Sequence, residues 1–347
     1  MQDEHHTIPD YRPAGLGCGR PTEISALATY VPPRLLTNAD LEKMVDTSSE
    51  WIQQRTGILE RHVVDPGVAT SDLGAQAAAK AIAQAGLSPD DIDLIIVGTT
   101  TPDMFFPSTA ALIQHKIGAG RAWGFDLAGA CSGFTFSLAT ASQLVSTGRH
   151  AHALVVGADV MTSIIDYKDR ATCVLFGDGA GAAVVSAAKD SRLAILDFAH
   201  EIDGSGGPAL HMPAGGSLRP ATHETVEQRL HYVKQDGQAV FKFAVRKTEE
   251  ISRIIMQRNN LTSADIALFV SHQANRRIIT AAADRLGLTE SQVIINMERY
   301  GNTTAATIPL ALTDAVAQGR LKKGDLVLLA SVGAGFTIGS VLLRWAY

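Results

Sequence analysis

An internal repeat is the feature of this sequence that most constrains its fold. The stretch AIAQAGLSPDDIDLIIVG (81–98) resembles IIMQRNNLTSADIALFVSH (254–272): each has a helical pattern, a Leu-Ser or Leu-Thr entry, an Asp-Ile pair and an apolar run. Further along, LVSTGR (144–149) resembles AVAQGR (315–320). The first pairing matches Leu87 with Leu261 and the second matches Gly148 with Gly319, so the two spacings are nearly equal. A unit repeated in this way predicts two related α/β halves.

The local patterns agree with an α/β fold. Helical and strand-like segments alternate almost throughout, and with 347 residues, 46% of them apolar, the chain can bury a large core. Helices are predicted at 72–85 and 131–147, and buried strands at 93–97, 153–156, 182–185, 267–270 and 326–329. We predict a loose extension over 1–20, a first half over 21–190, and a second half over 191–347 with an insertion at 200–222.

Charge and cysteine content exclude several classes of protein. The formal charge is −5, so neither a nucleic acid nor an anionic membrane is an expected partner. The apolar runs are too short to span a bilayer, and the first residues lack the apolar core of a signal peptide. Cys18, Cys131 and Cys173 show no CxxC spacing, so no disulfide framework or metal site is predicted. We expect a cytoplasmic protein.

Cys131 is the first candidate for chemistry. It lies in DLAGACSGFTFSLATA, after a strand-like stretch and at the start of a predicted helix. A helix N-terminus favours an anion, so this position predicts a lowered thiol pKa and a nucleophilic thiolate. A buried structural cysteine is the alternative interpretation.

His272 and Asn302 are the other two candidates. His272 follows an apolar strand in LFVSHQANRRI, where a neutral imidazole can donate a hydrogen bond or transfer a proton, although a purely structural histidine fits as well. Asn302, in RYGNTTAATIPL, stands at a predicted helix entry, where capping alone explains an asparagine. At the spacing of the second pairing Asn302 corresponds to Cys131, and at that of the first His272 corresponds to Gly98. The repeat therefore predicts that the three side chains meet at the seam between the halves.

Two glycine-rich segments remain. FGDGAGAAVV (176–185) leads into a strand and lacks a following Lys-Ser/Thr, so we predict a tight turn that lets backbones pass closely rather than a phosphate loop. SVGAGFTIGS (331–340) follows an apolar strand. It is either a simple connecting turn or a source of backbone donors for a reacting carbonyl.

Taken together, ACSGF, SHQANRRI and YGNTTAATIP resemble the Cys-His-Asn motifs of the β-ketoacyl-acyl-carrier-protein synthase III family. The resemblance runs from about Thr22 to Arg344 and includes residues 37–62, FPSTAALIQ and FGDGAGAAV. It implies a homodimer with the thiolase fold, in which two pseudo-twofold-related halves form a five-layered αβαβα core. Thiolases and elongating condensing enzymes carry a second His or Cys where this chain has Asn302, so they fit less well.

The resemblance also implies a reaction and a set of contacts. Cys131 would accept an acyl group from acyl-CoA and pass it to the carbanion of decarboxylated malonyl-acyl-carrier protein (malonyl-ACP), without a metal or other cofactor. His272 and Asn302 would donate to the enolate, and the backbone N–H groups of Cys131 and Ala334 would form the oxyanion hole. The remaining implied contacts are with CoA (Thr47, Trp51, Arg55, Arg170), the acyl chain (Phe106 from the partner subunit, Phe241, Asn275) and the carrier protein (Lys242, Gln273, Arg276, Arg277, Arg285).

Two other functions stay open at this point. One is a related condensing enzyme or plain acyltransferase of secondary metabolism, and the other is a non-catalytic dimer partner. The presence of Cys131, His272 and Asn302 favours condensation over both. The sequence does not specify the acyl starter.

Overall fold

The computed structural model describes residues 19–347, so nearly all of the predicted extension over 1–20, with Cys18, lies outside the described residues. The strands are β1 (Thr22–Tyr30), β2 (Leu35–Thr37), β3 (Glu60–His62), β4 (Leu94–Gly98), β5 (Trp123–Leu127), β6 (His152–Val160), β7 (Asp178–Ala187), β8 (Ile195–Ile202), β9 (Leu210–His211), β10 (Lys234–Gln235), β11 (Leu268–Ser271), β12 (Leu326–Gly333) and β13 (Thr337–Arg344). The α-helices are α1 (Asn38–Leu41), α2 (Ser49–Thr56), α3 (Thr70–Gln84), α4 (Thr109–Ile117), α5 (Gly133–Ser146), α6 (Arg170–Cys173), α7 (His223–Glu227), α8 (Gly237–Arg258), α9 (Arg276–Leu286), α10 (Met297–Tyr300) and α11 (Thr307–Ala317).

Two main sheets and three helical layers make up the fold. The first sheet has the strand order β1-β7-β6-β4-β5 and the second the order β8-β13-β12-β11. Helices α3 and α4 cover the outer face of the first sheet, while α8 packs on the second sheet and against α9. Helices α5 and α11 lie between the sheets and contact strands of both. The result is the five-layered αβαβα thiolase fold.

The hydrophobic core is centred on the middle helical layer, and the apolar strands of both sheets pack against it. A cluster that includes Phe134 and Leu138 of α5 and Leu312 of α11 joins side chains from both sheets. Every residue of β4 is buried, as expected for a strand covered by helices on both faces. No helix within residues 19–347 has the length and apolarity needed to cross a membrane.

The predicted strands are confirmed, since they fall within β4, β6, β7, β11 and β12 or overlap them closely. The helix predicted at 72–85 is α3, and the one predicted at 131–147 begins as the 3-10 turn Ala130–Ser132 before α5. The tight turn predicted at 176–185 is wrong, because β7 starts at Asp178, but the predicted close approach of backbones is present: a Cβ on Gly177 would lie 2.4 Å from the Tyr300 carbonyl oxygen. Close packing, rather than turning, explains its glycines: a Cβ on Gly181 would lie 2.3 Å from Cβ of Pro309.

The two sheets repeat one arrangement of strands. The predicted correspondence of Cys131 with Asn302, however, is wrong. Leu94 at the start of β4 corresponds to Leu268 at the start of β11, and at the same spacing the 3-10 turn Ala130–Ser132 recurs as Thr304–Ala306. Only the ends of α5 and α11 follow the slightly shorter spacing of the second pairing, because α5 is the longer of these two helices. Cys131 therefore corresponds to Ala305, and Asn302 precedes the repeated turn.

Candidate active site

Cys131 occupies the 3-10 turn that joins β5 to α5, and this turn is clamped to the second sheet. Ser132 Oγ donates to the Thr337 carbonyl (3.1 Å), and Thr337 Oγ1 donates to the Gly129 carbonyl (2.8 Å). On the same side, a Cβ on Gly333 would lie 2.7 Å from the Cys131 nitrogen. The contacts between the halves therefore fix the backbone at Cys131.

His272 directly follows β11 and is held at both its backbone and its ring. Its N–H donates to the Ala330 carbonyl (2.8 Å). Its Nδ1 lies 2.7 Å from Oγ1 of Thr307, the first residue of α11. Because Thr307 occupies Nδ1, the Nε2 atom is the ring nitrogen left for a ligand.

Asn302 follows α10 and precedes the turn Thr304–Ala306. Its N–H donates to the Leu175 carbonyl (2.8 Å), and its carbonyl accepts from Gly177 N–H (3.1 Å). Its Oδ1 accepts from Thr304 N–H (2.9 Å), which fixes the orientation of the carboxamide. The Nδ2 atom has no acceptor among residues 19–347 and is the donor that remains for a ligand.

One cavity of about 630 Å³ brings the three side chains together. Cys131, His272 and Asn302 line it, and each is less than a tenth exposed. Trp51 and Arg55, both on α2, line another part of its wall. The described residues contain no group of three His, Cys, Asp or Glu side chains placed to bind a metal. The cavity thus combines one thiol, two N–H donors and room for a substrate.

Burial sets the charge state of the site, and it reverses the thiol prediction. Desolvation, with a smaller contribution from the Asp159 carboxylate, raises the pKa of Cys131 to about 12 instead of lowering it. The helix start favours a thiolate, but its effect is smaller than the cost of burying a charge. Burial likewise lowers the pKa of His272 to about 3. At neutral pH the site therefore holds a thiol and a neutral imidazole.

Ala334 lies in the hairpin turn between β12 and β13. This turn follows Gly333, which packs against the Cys131 backbone. Among the described residues that line the cavity, Val332 represents this hairpin and Ala334 does not. Its oxyanion-hole role stays a prediction, as does that of the Cys131 N–H.

The residues predicted to contact CoA gather around Trp51. The guanidinium carbon of Arg170 lies 5.1 Å from the Trp51 ring centroid, and that of Arg55 lies 5.9 Å from it. Arg170 also donates to the Asp46 carbonyl (3.0 Å). Thr47 follows Asp46 in the chain, and its buried hydroxyl has no hydrogen-bond partner among the described residues. These side chains form a compact aromatic and cationic group at the cavity.

The three predicted acyl-pocket residues divide into two places. Phe241 and Asn275 line the cavity, and Asn275 caps α9 by accepting from Arg277 N–H (2.9 Å) while donating to the Arg55 carbonyl (2.9 Å). Phe106 does not line it and is 83% exposed, as is Phe105 beside it. The sequence reasoning missed Phe105, although two adjacent phenylalanines in a polar loop are an available signal.

The predicted carrier-protein surface needs one correction. Gln273 is 1% exposed, its Nε2 donates to the Ser271 and Ile294 carbonyls, and its Oε1 accepts from Asn296 N–H. This buried side chain cannot reach a docked protein, because turning outward would leave those backbone groups unpaired. The other four predicted docking residues are exposed: Lys242, Arg276, Arg277 and Arg285.

Ion pairs among the described residues show which basic side chains are already paired with carboxylates of this chain. Arg246, Lys247, Arg253 and Arg258 bind the carboxylates Glu250, Glu201, Glu249 and Asp197 of this chain. Arg276 makes only a loose contact of 3.9 Å with Glu298, and Arg277 lies 5.3 Å from the Phe241 ring centroid. These pairings depend on the tertiary structure, so the sequence alone does not separate the paired from the available cations.

A layered pair of α/β halves, with a cysteine, a histidine and an asparagine around one cavity at their seam, defines a thiolase-fold acyltransferase. Known proteins identify the family. The sequence profiles of 3-oxoacyl-[acyl-carrier-protein] synthase III and of its C-terminal region match residues 125–204 and 256–345. The β-ketoacyl-[acyl-carrier-protein] synthase III of Solibacter usitatus is 58% identical over 94% of this chain and 99% of its own, and that of Koribacter versatilis is 55% identical with the same coverage.

Solved structures agree with the sequence comparisons. The 3-oxoacyl-[acyl-carrier-protein] synthase III of Aquifex aeolicus is 41% identical and superimposes with a TM-score of 0.86, covering 93% of this chain and 100% of its own. The chain belongs to the β-ketoacyl-[acyl-carrier-protein] synthase III family.

Proposed function

We propose that this protein starts fatty-acid synthesis by condensing an acyl-CoA starter with malonyl-ACP, through an acyl-Cys131 intermediate. The observation that carries the proposal is the single cavity lined by Cys131, His272 and Asn302, in a chain of this family. A thiol alone supports acyl transfer, whereas the two N–H donors add the means to stabilise an enolate.

In the first stage the Cys131 sulfur attacks the thioester carbonyl of acyl-CoA. The S–H bond of Cys131 and the carbon–sulfur bond to CoA break, a new carbon–sulfur bond forms, and the proton ends on the sulfur of CoA. Because burial raises the pKa of the Cys131 thiol to about 12, this proton leaves during the attack rather than before it. Backbone N–H groups of Cys131 and Ala334 are the proposed donors to the tetrahedral oxyanion.

In the second stage malonyl-ACP loses CO2, and the electrons of the broken carbon–carbon bond form an enolate. His272 Nε2 and Asn302 Nδ2 are the two atoms left free by Thr307 and Thr304, and we assign them as donors to the enolate oxygen. Donation from Nε2 requires the tautomer in which the Thr307 hydroxyl donates to Nδ1. In the free protein this hydroxyl donates to the Thr304 carbonyl (3.0 Å), so it must turn toward His272 when the enolate forms. The enolate carbon then attacks the acyl-cysteine, and the released Cys131 sulfur takes up one proton.

CoA binding is assigned to the group around Trp51. In the free protein Arg170 already stacks on the indole ring, so an adenine can enter between them only if the arginine moves aside. The cation–π contact between Arg170 and Trp51 is then replaced by stacking of the adenine between these two side chains. Arg55 and Thr47 flank this slot and are the proposed phosphate or adenine contacts.

A homodimer and a carrier-protein docking face complete the proposal. The exposed side chains of Phe105 and Phe106 form an apolar surface of the kind that a second copy covers. An acidic carrier protein would meet the exposed cations Lys242, Arg276, Arg277 and Arg285 near the cavity. Docking of this kind should weaken as salt is raised, and an affinity that does not change with salt would argue against it.

The test follows the two stages on one protein. A panel of acyl-CoAs of different length and branching is incubated with the wild type and with Cys131→Ser, and the mass of the peptide that contains residue 131 is measured. We expect thioester adducts only on the wild type. Adding malonyl-ACP with a labelled carboxyl carbon should then release labelled CO2. Acylation without CO2 release would indicate a plain acyltransferase, and condensation by Cys131→Ser at the wild-type rate would contradict the assignment of the nucleophile.

A further inference from the structure

Thr304, in the turn just after Asn302, has an unusual backbone. It is 3% exposed and has a φ of +49°, in the left-handed region that β-branched residues rarely occupy. Such a conformation persists only where the surroundings hold it, and it is found mostly at functional sites. The mechanism above uses only its N–H, and neither its hydroxyl nor its backbone conformation has yet been explained.

All three polar groups of Thr304 are engaged around the two proposed enolate donors. Its N–H donates to Asn302 Oδ1 (2.9 Å) and so directs Nδ2 of that carboxamide toward the cavity. Its carbonyl accepts from the N–H of Thr307 and from the hydroxyl of the same residue (3.0 Å). Thr307 Oγ1 in turn lies 2.7 Å from His272 Nδ1. One residue thus contacts Asn302 directly and His272 through Thr307.

The hydroxyl of Thr304 is anchored on a buried carboxylate. Its Oγ1 donates to Oδ2 of Asp159, which also accepts from Ala305 N–H (3.2 Å). Asp159 is wholly buried at the end of β6, and its Oδ1 accepts from the Thr100 N–H (2.8 Å) and the Thr101 hydroxyl (2.9 Å). The carboxylate is therefore fixed by the first half, while the turn that it holds belongs to the second.

We propose that Thr304, anchored by Asp159, is a positioning residue that aims both donors, Asn302 and His272, at the enolate. The inference rests on the proposed condensing function and adds to it a residue that acts only in the decarboxylation stage. Cys131 sits on a different turn, which hydrogen-bonds with Thr337. The two turns pack against each other, but no hydrogen bond among the described residues links Thr304 to Cys131, so we expect acylation to change much less than decarboxylation. The consequence is a defect confined to one of the two stages.

The test compares Thr304→Val, which keeps the shape and removes the hydroxyl, with Thr304→Ser, which keeps the hydroxyl. Thr303→Val is the matched control, because Thr303 is equally buried and its hydroxyl has no hydrogen-bond partner. For each protein the rate of acyl-Cys131 formation, and the kcat and KM for CO2 release from malonyl-ACP, are measured. Circular dichroism confirms folding.

For Thr304→Val we expect acylation within about threefold of the wild type and a kcat for CO2 release lowered up to about 100-fold, since an error of about 1 Å in donor position has that effect. Its KM should stay unchanged, and Thr304→Ser should restore CO2 release. Wild-type CO2 release by Thr304→Val, or an equal defect in Thr303→Val, would overturn the inference. If Thr304→Val does not fold, Thr304→Ala, which also lacks the hydroxyl, replaces it with the same expected split. A wild-type protein that releases no CO2 would instead refute the proposed function.

Discussion

Replacing His272 with asparagine should make the protein less sensitive to acid. Burial lowers the pKa of the His272 imidazole to about 3, against 6.5 for the free side chain. Below pH 6.5 the unfolded chain therefore binds a proton at this position and the folded chain does not. The free energy of unfolding must then fall as the pH falls from 6.5 toward 3, and it is unaffected well above 6.5.

The magnitude follows from the two pKa values. Each pH unit between them changes the free energy of unfolding by about 1.4 kcal/mol, and the onset near pH 6.5 is gradual. Between pH 7 and pH 5 the wild type should lose about 2 kcal/mol more than His272→Asn does. Burial also lowers the pKa of His200 to about 4, but both proteins contain this residue, so its effect cancels in the difference.

The assay is urea unfolding, followed by fluorescence, at several pH values from 7 to 5. The protein concentration stays fixed, because the stability of the proposed homodimer would depend on it. A variant of the exposed His115 on α4 controls for the loss of one histidine. Parallel pH dependences for wild type and His272→Asn, within about 0.5 kcal/mol, would refute the reasoning, because the imidazole would then be solvated. In that case burial would not be what keeps the imidazole donor neutral.

Three further predictions concern the thiol, the packing and the CoA slot. Because burial raises the pKa of Cys131 to about 12, its alkylation by iodoacetamide should speed up about tenfold per pH unit from pH 7 to 9, and a plateau near pH 7 would contradict this. Gly181→Ala should cost about 1–3 kcal/mol in chemical denaturation, since its Cβ would lie 2.3 Å from Pro309, whereas Gly204→Ala has open space and should cost much less. Trp51→Ala should weaken CoA binding in calorimetry about 5- to 150-fold, from the ~1–3 kcal/mol of base stacking, and an equal loss for pantetheine would exclude the adenine slot.

Much of the fold could be predicted from local patterns. The strand that became β4 is a continuous apolar run, and such a run is buried wherever it lies, so its prediction needed no knowledge of its neighbours. The tight turn predicted for the glycine-rich segment 176–185 is wrong for the opposite reason. Glycine fits both a turn and a crowded strand, and only the approach of Pro309 to Gly181 decides between them.

The candidate site shows the same division. The residue types and their places after strands brought Cys131, His272 and Asn302 into consideration, and the structure gathers them in one cavity. The thiol pKa was predicted in the wrong direction because a helix start is visible in a sequence, whereas the depth of burial is not. Gln273 was placed on the docking surface for a related reason, since its partners Ile294 and Asn296 lie well beyond it along the chain.

The sequence by itself determined the composition of the two halves, the repeat that relates them and the three side chains available for chemistry. The tertiary structure decided which of their atoms are free to act. It did so by packing the halves against each other, so that Thr307 occupies one nitrogen of His272 and Thr304 occupies the oxygen of Asn302. The same packing removes water from Cys131, and the energy of a charge depends on that environment rather than on the identity of neighbours in the chain.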